Sequence, residues 1–237
     1  MVAITSLSPT HTNKDIQQKA VESWINCGMK VISFNSYVEC AILKDKFKNV
    51  TFIPTLRTME SAYKKPLVNL SAIFDFCKDV ESDTFCIINS DIELQTDSET
   101  IKRIEKEMEL GIVMANRINY SEKKHGTKYL LGIDVFFIHK KWLSIFPQTM
   151  HCLGMTFVDY FIPYIATKAG VQITFIQQDF AYHKEHKAQY SVDDWLKSGR
   201  FFLWENSLYQ FSDTKGIGEM SKFVYNWIYN QAITKLI

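Results

Sequence analysis

Short apolar runs alternate with amphipathic stretches through the first half of the chain. Val2 to Ser6 is apolar until it meets hydroxyl residues and Pro9, the pattern of a buried strand emptying into a loop. Ile16, Ala20, Val21, Trp24 and Ile25 then recur at helical spacing, with Thr12 or Asn13 as the cap and Gly28 as the stop. Strands follow at Lys30 to Phe34 and Val50 to Ile53. Residues 66 to 78 carry Leu67, Leu70, Ile73, Phe74 and Cys77 on one helical face, and Thr84 to Ile88 is an almost wholly apolar strand. Further on, Thr96 to Leu110 reads as a charged helix with Ile101, Ile104 and Met108 inward, and Ile112 to Ala115 as a strand. Asn119 to Lys128 reads as a polar, basic loop, 133–138 as a strand, 156–169 as a helix and 171–176 as a strand.

Four apolar strands alternating with helices imply an α/β fold with a mostly parallel central sheet flanked by helices. In such sheets ligands collect beyond the carboxyl ends of the strands. The expected division is one large domain over 1–217 and a C-terminal helical extension over 218–237. Met220, Phe223, Trp227 and Ala232 or Ile233 fit one inward face of that aromatic-rich helix, and Val224, Tyr225, Ile228 and Tyr229 widen it. A helix apolar on so many sides must meet the rest of the chain, a second copy in a homodimer, or a membrane interface. Trp24, Trp142 and Phe146 read as packing residues, and Glu105-Lys106-Glu107 as a solvated helix face.

Composition narrows the setting. Lys plus Arg total 27 against 26 for Asp plus Glu, a net charge of +1, so no global field draws the protein to nucleic acid or an anionic membrane. The five cysteines are far apart, odd in number and form no CxxC pair, which suits buried thiols in a reducing compartment. The N-terminus has no signal-type run, and no stretch approaches the roughly 18 apolar residues of a membrane span. The expected location is cytoplasmic, with peripheral membrane contact left open and no transmembrane segment.

Three segments carry candidate chemistry. Asn89-Ser90-Asp91-Ile92-Glu93 places oxygen ligands where an apolar strand ends, as a hard cation bridging a diphosphate needs. The same residues also fit a polar turn in which Asp91 caps a helix. Tyr182-His183-Lys184-Glu185-His186 offers two imidazoles three residues apart, able to face one metal from a turn or helix, or to sit on a surface loop. Gly154-Met155-Thr156-Phe157-Val158-Asp159 sets a carboxylate among apolar neighbours near a helix start. Desolvation there raises proton affinity and suits a general base, although dipole effects alone also favour Asp at helix starts.

The order of these parts over roughly residues 2 to 190 resembles the GT-A glycosyltransferase fold, in particular the family-2-like nucleotide-sugar transferases and their uncharacterised relatives. The resemblance implies that Thr5, Ser6 and Pro9 line the nucleotide pocket, with Asn69 near the ribose or base and Arg57 at the diphosphate. The family triplet is Asp-x-Asp. Here it is Asn89-Ser90-Asp91, leaving Asp91, with Glu93 close by, to hold the metal. His183 matches a late histidine that some members use as a further ligand, Asp134 in Gly132-Ile133-Asp134 matches the strand touching the donor sugar, and Asp159 matches the base of inverting members. The implied cofactor is Mn²⁺ or Mg²⁺, and the implied donor a UDP-sugar.

The implied activity is transfer of a sugar from a nucleoside-diphosphate sugar to an acceptor hydroxyl, on a saccharide, a lipid-linked sugar, a protein or a hydroxylated DNA base. A DNA acceptor would draw on a basic groove of Lys123, Lys124, Lys128, Lys184 and Lys187. Two alternatives stand. A catalytically inactive binding module accounts for Asn89, and a nucleotidyltransferase on a similar sheet would need a Gly-rich basic loop that Ser8-Pro9-Thr10-His11 does not provide.

Overall fold

The computed structural model describes residues 1–11, 14–121, 126–186, 190–211 and 214–237. The expected cap at Thr12 or Asn13, and Lys123, Lys124, His125 and Lys187 of the basic segments, lie outside the described residues.

The chain builds one mixed sheet with helices on both faces. Its first half runs β1 (Val2–Thr5), α1 (Lys14–Asn26), β2 (Lys30–Asn35), α2 (Tyr37–Leu43), β3 (Val50–Pro54), α3 (Glu60–Tyr63), α4 (Leu70–Asp79) and β4 (Thr84–Ile88). There follow β5 (Ile92–Leu94), α5 (Ser98–Met108), β6 (Gly111–Tyr120), β7 (Thr127–His139), α6 (Val158–Lys168), β8 (Gln172–Ile176) and β9 (Ala181–Lys184). The last elements are α7 (Val192–Glu205), α8 (Thr214–Gln231) and β10 (Ile233–Lys235). Across the sheet the order is β10-β8-β6-β7-β4-β1-β2-β3, with β9 pairing β6 and β5 pairing β9. Most neighbours are parallel, whereas β7 is antiparallel to both β4 and β6.

Alternation along the central strands explains the two covered faces. Val2, Ile4, Phe85 and Ile87 enter one core with Leu70, Ile73 and Phe74 of α4. Ala3, Cys86 and Ile88 point the other way, into a core with Val21 and Trp24 of α1 and Ile104 of α5. A strand buried on both faces needs apolar residues at every position, hence the continuous runs in the sequence. Trp24 is fully buried, and its indole N–H donates to Ile92 O at 2.9 Å. The five cysteines are free thiols, with Cys40 the least covered.

Several elements depart from the sequence reading. The helix expected over 66–78 begins only at Leu70, because Val68 bridges Thr58 and Asn69 bridges Cys152 in extended backbone, and the Asn69 side chain then caps the helix. The strands expected at 112–115 and 133–138 are longer, so that β6 takes in Asn119 and Tyr120 and β7 takes in Thr127 and Lys128 from the two ends of the expected 119–128 loop. Glu105 and Glu107 are not merely solvated: Glu105 accepts from Thr84 Oγ1 at 2.9 Å, and Glu107 pairs with Lys235 at 2.8 Å.

The C-terminal stretch is not all helix, since β10 pairs with β8 and extends the sheet. The expected boundary between 217 and 218 falls inside α8. On α8, Ile217, Met220, Val224 and Ile228 are fully buried in the core that also holds Phe161 and Ile162 of α6, whereas Phe223 and Trp227 face outward. The inward stripe is therefore turned from the one expected, and it packs on this chain. Among the described residues no helix is long and apolar enough to cross a membrane. Truncating Ile228 to Ala should cost about 2–5 kcal/mol, while Phe223→Ser should stay within about 0.5 kcal/mol. Urea denaturation of the two variants checks the assignment, and equal losses would mean the buried stripe is misplaced.

Candidate functional site

Beyond Ile88 the chain turns through Asn89, Ser90 and Asp91 before β5, and Ile92 N–H donates back to Asn89 O at 3.2 Å. Ile92 pairs with His183 of β9, which brings Asp91 out beside that histidine. Asp91 Oδ2 lies 3.4 Å from His183 Nε2 and 3.0 Å from His186 Nε2, and the two ring nitrogens are 3.2 Å apart. The pair is thus presented by a strand and the residues just after it, and not by a turn or helix. His11, at the end of the loop after β1, sets its ring edge-on to His186 with centroids 5.3 Å apart. His11, Asp91 and His186 offer ligand atoms that lie within 4.8 Å of one another. Burial pushes the Asp91 carboxyl upward, but the hydrogen bonds and charges of His183 and His186 outweigh it and hold the group well below the usual carboxylate range. Imidazole nitrogens converging on an ionised carboxylate oxygen are a donor set suited to a divalent metal.

Asn89 joins this cluster to a second one. Its backbone N–H donates to Asp134 O at 3.1 Å, and its side-chain amide donates to Asp134 Oδ1 at 2.5 Å. Arg117 Nη1 donates to the other Asp134 oxygen at 3.1 Å, and Arg117 Nε to Asn119 Oδ1 at 2.9 Å. The pairing of β6 with β7 shifts register between Ala115 and Arg117, and the extra residues, Asp134 and then 130–132, lie on β7, where such an irregularity redirects side chains. The guanidinium carbon sits 4.9 Å from the Tyr129 ring centre. Gly132 leaves room for both groups, since a Cβ there would stand 2.8 Å from the Tyr129 ring and 3.0 Å from Arg117 Nε. Burial lowers the proton affinity of Arg117, and Asp134, with Asp91 behind it, raises it by more.

Asp159 lies in the first turn of α6, and its Oδ1 is closed to solvent with no hydrogen-bond partner among the described residues. Burial first, then the charge of Asp134, push its carboxyl up to about 7, against the pull of nearby backbone N–H groups and Arg117. A carboxyl held near neutrality is matched to moving a proton at physiological pH. The helix start is fixed by Phe157, a buried non-glycine residue at φ 71°.

The remaining expected residues are placed as follows. Thr5 is fully buried between β2 and β4, so of the first trio Ser6 and Pro9 are the ones with exposed surface. Gln17 of α1 hydrogen-bonds Ser90 Oγ at 2.8 Å, and with its amide turned to satisfy both ends it also holds the backbone of Ser8. Arg57 is drawn to Asp75 at 2.7 Å and to Gln148 at 2.8 Å, and Asn69 to Thr149 O at 2.6 Å and Ser71 N–H at 2.9 Å. These contacts lead Arg57 and Asn69 to their own neighbours and not to the Asp91 cluster. A polar cleft of about 460 Å³ opens on Asp91 and Glu93, walled by Lys19 and Glu22 of α1 and by Tyr120 and Lys184. Sequence reasoning missed His11 and Arg117. A strand read as Ile112 to Ala115 leaves Arg117 outside any expected element, and a lone histidine after Pro9 carries no spacing signal.

No protein-family model and no curated protein sequence matches the chain. Solved structures do match. S. aureus TarS 1–349 in complex with UDP-GlcNAc is similar at TM-score 0.52 and 10% identity, over 85% of this chain and 66% of that one. The same protein in complex with UDP gives TM-score 0.51 and 11% identity, over 86% and 65%. A putative glucose-1-phosphate thymidylyltransferase from Bacillus anthracis reaches TM-score 0.49 at 12% identity, over 76% of this chain and 87% of that one. This chain spans just under two thirds of those TarS chains, and at such identities the likeness concerns the fold: a GT-A-like, nucleotide-sugar-transferase-type α/β sheet.

The raised carboxyl of Asp159 has a stability consequence of definite sign. Its neutral form is favoured by folding, so its contribution is full below the unfolded value near 4 and is lost as pH rises through about 7. Asp159→Asn removes that loss, and its stability relative to the parent should grow between pH 4 and pH 8 in urea denaturation. A difference that stays flat over this range would mean the carboxyl is not raised.

Proposed function

We propose that this protein is a glycosyltransferase that moves a sugar from a nucleoside-diphosphate sugar, most simply a UDP-sugar, to an acceptor hydroxyl with inversion. The observation that carries the reading is the juxtaposition, at one carboxyl edge of a GT-A-like sheet, of an ionised carboxylate among imidazoles and a second carboxyl poised near neutrality. The likeness to a TarS structure described as a complex with UDP-GlcNAc supports the donor class.

Asp91 and His183, the two expected ligands, fit a divalent ion, Mn²⁺ or Mg²⁺, and His186 joins them. Such an ion supplies positive charge to the leaving diphosphate. Ser6 and Pro9 border the nucleotide, and Asp134, oriented by Asn89 and Arg117, faces the donor sugar. Asp159 accepts the proton of the acceptor hydroxyl. The acceptor oxygen forms the new bond to the anomeric carbon as the bond to the diphosphate oxygen breaks, and the electron pair leaves with the phosphate. Asn89 replaces a family carboxylate and fixes Asp134 at 2.5 Å, a positioning task in this reading. The acceptor is a saccharide, a lipid-linked sugar, a protein or a hydroxylated DNA base, and the reading places the protein in the cytoplasm.

Asp159→Asn should lower kcat for transfer by about 10²–10⁴ and leave UDP affinity, measured by calorimetry, within about twofold. Chelator should abolish transfer and Mn²⁺ restore it. Substantial turnover in the variant would remove Asp159 as the base, and full activity in excess chelator would remove the metal.

A further inference from the structure

We propose that the cation of this site is held by four protein groups, Asp91, His183, His186 and His11. We further propose that this nitrogen-rich set selects a transition-metal ion over magnesium and ties the loop after β1 to the β5–β9 ribbon. The cation's role rests on the function proposed above, whereas its ligand set stands on geometry alone.

Asp91 Oδ2, His183 Nε2 and His186 Nε2 form a triangle with edges of 3.0, 3.2 and 3.4 Å. Three such atoms cannot all satisfy one another by hydrogen bonding. If both imidazoles carry a proton on Nε2, the two N–H groups oppose each other, and if one does not, its lone pair faces the carboxylate. A cation at the centre turns every contact into ligation. Metal–nitrogen bonds of about 2.1 Å place neighbouring donors about 3.0 Å apart in an octahedron and about 3.4 Å apart in a tetrahedron, the range that the triangle spans. The side chains of His183 and His186 are 10% and 17% exposed, so the centre is nearly closed to bulk water.

His11 comes from a different element, the loop after β1. It is buried, its ring is edge-on to His186, and its ligand atom falls within 4.8 Å of those of Asp91 and His186. That group does not include His183, so His11 completes the set by moving in toward the triangle. Its loop is otherwise secured by Leu7 N–H donating to Ser33 Oγ at 2.9 Å and by Asn35 donating to Leu7 O at 2.7 Å.

Three imidazoles and one carboxylate disfavour magnesium, which demands oxygen ligands and gives up water reluctantly. Borderline ions accept imidazole readily. With a single anionic ligand, a dication keeps a charge of about +1. That surplus faces the diphosphate, so Asn89 in place of an acid leaves the ion more electropositive.

The test titrates the nucleotide-free protein with Co²⁺, reads its visible absorption, and uses Mg²⁺ as competitor. Saturable binding that survives about hundredfold excess Mg²⁺ is expected, with His11→Ala and His186→Ala each weakening it by roughly tenfold or more and His139→Ala leaving it unchanged. Mn²⁺ added to the unaltered protein should broaden the imidazole proton resonances of His11, His183 and His186 and spare that of His139. Displacement of cobalt by equimolar Mg²⁺, cobalt affinity unchanged in His11→Ala, or a His11 resonance that stays sharp would each overturn the proposal. Intact cobalt binding without sugar transfer would instead sink the function and leave the site, while transfer supported equally by Mg²⁺ without cobalt binding would do the reverse.

Discussion

A carboxylate removed from water has to find compensating charge or donors, and for Asp91 that need ties the site to the sheet. Desolvating an ion costs several kcal/mol even after relaxation, yet the Asp91 carboxyl is held below its ordinary range. The compensation comes from His183 and His186, and these reach Asp91 only because Ile92 pairs with His183. That pairing in turn depends on β9 lying parallel to β6, with Asn119 opposite His183. Slip the register of β9 by one residue and His183 turns to the other face.

The same strand, β6, supplies the other half of the site. Where its register against β7 shifts at Ala115–Arg117, the extra residues of β7 include Asp134, which is bonded to Arg117 and to Asn89 just beyond β4. Asp91, Asn89, Asp134 and Arg117 are therefore one connected group. Asp159 hangs on this group by charge alone: Asp134 raises its proton affinity, Arg117 lowers it, and burial exceeds both. Two carboxyl groups at one sheet edge, one driven toward ionisation and one toward neutrality, are what separate metal and proton roles require.

Much of this was legible in the sequence because it rests on strong local signals. Apolar runs such as Phe85-Cys86-Ile87-Ile88 have to be doubly covered strands, and an acid just beyond one falls at the ligand edge. The parts that were not legible depend on tertiary pairing. β5 is three residues long and β9 four, too short for either to show a periodicity of its own. Without β9, His183 and His186 cannot be assigned a face, and His11 is connected to them only by folding. Arg57, an isolated cation in a polar stretch, attracted a diphosphate role, whereas in the fold Asp75 and Gln148 engage it. α7 escaped notice because its capping residues, Ser191 and Asp194, precede a face that mixes tryptophan, glycine and charge.

The C-terminal helices bear on the site through the Phe157 ring. Phe157 sits at φ 71°, a conformation that costs a bulky residue about 1–3 kcal/mol unless its surroundings impose it. Those surroundings are the rings of Tyr160, Trp195 and Phe202, at centroid distances of 5.5, 5.8 and 5.8 Å. Gly199 of α7 makes the fit feasible, because a Cβ there would stand 3.1 Å from the Phe157 ring and 2.5 Å from Ile217 of α8. Phe161 N–H donates to Phe157 O at 2.8 Å, so the strained residue starts the helix that carries Asp159. Helices α7 and α8 are thus not an appendage to a finished domain. They hold the backbone turn that sets where the near-neutral carboxyl sits.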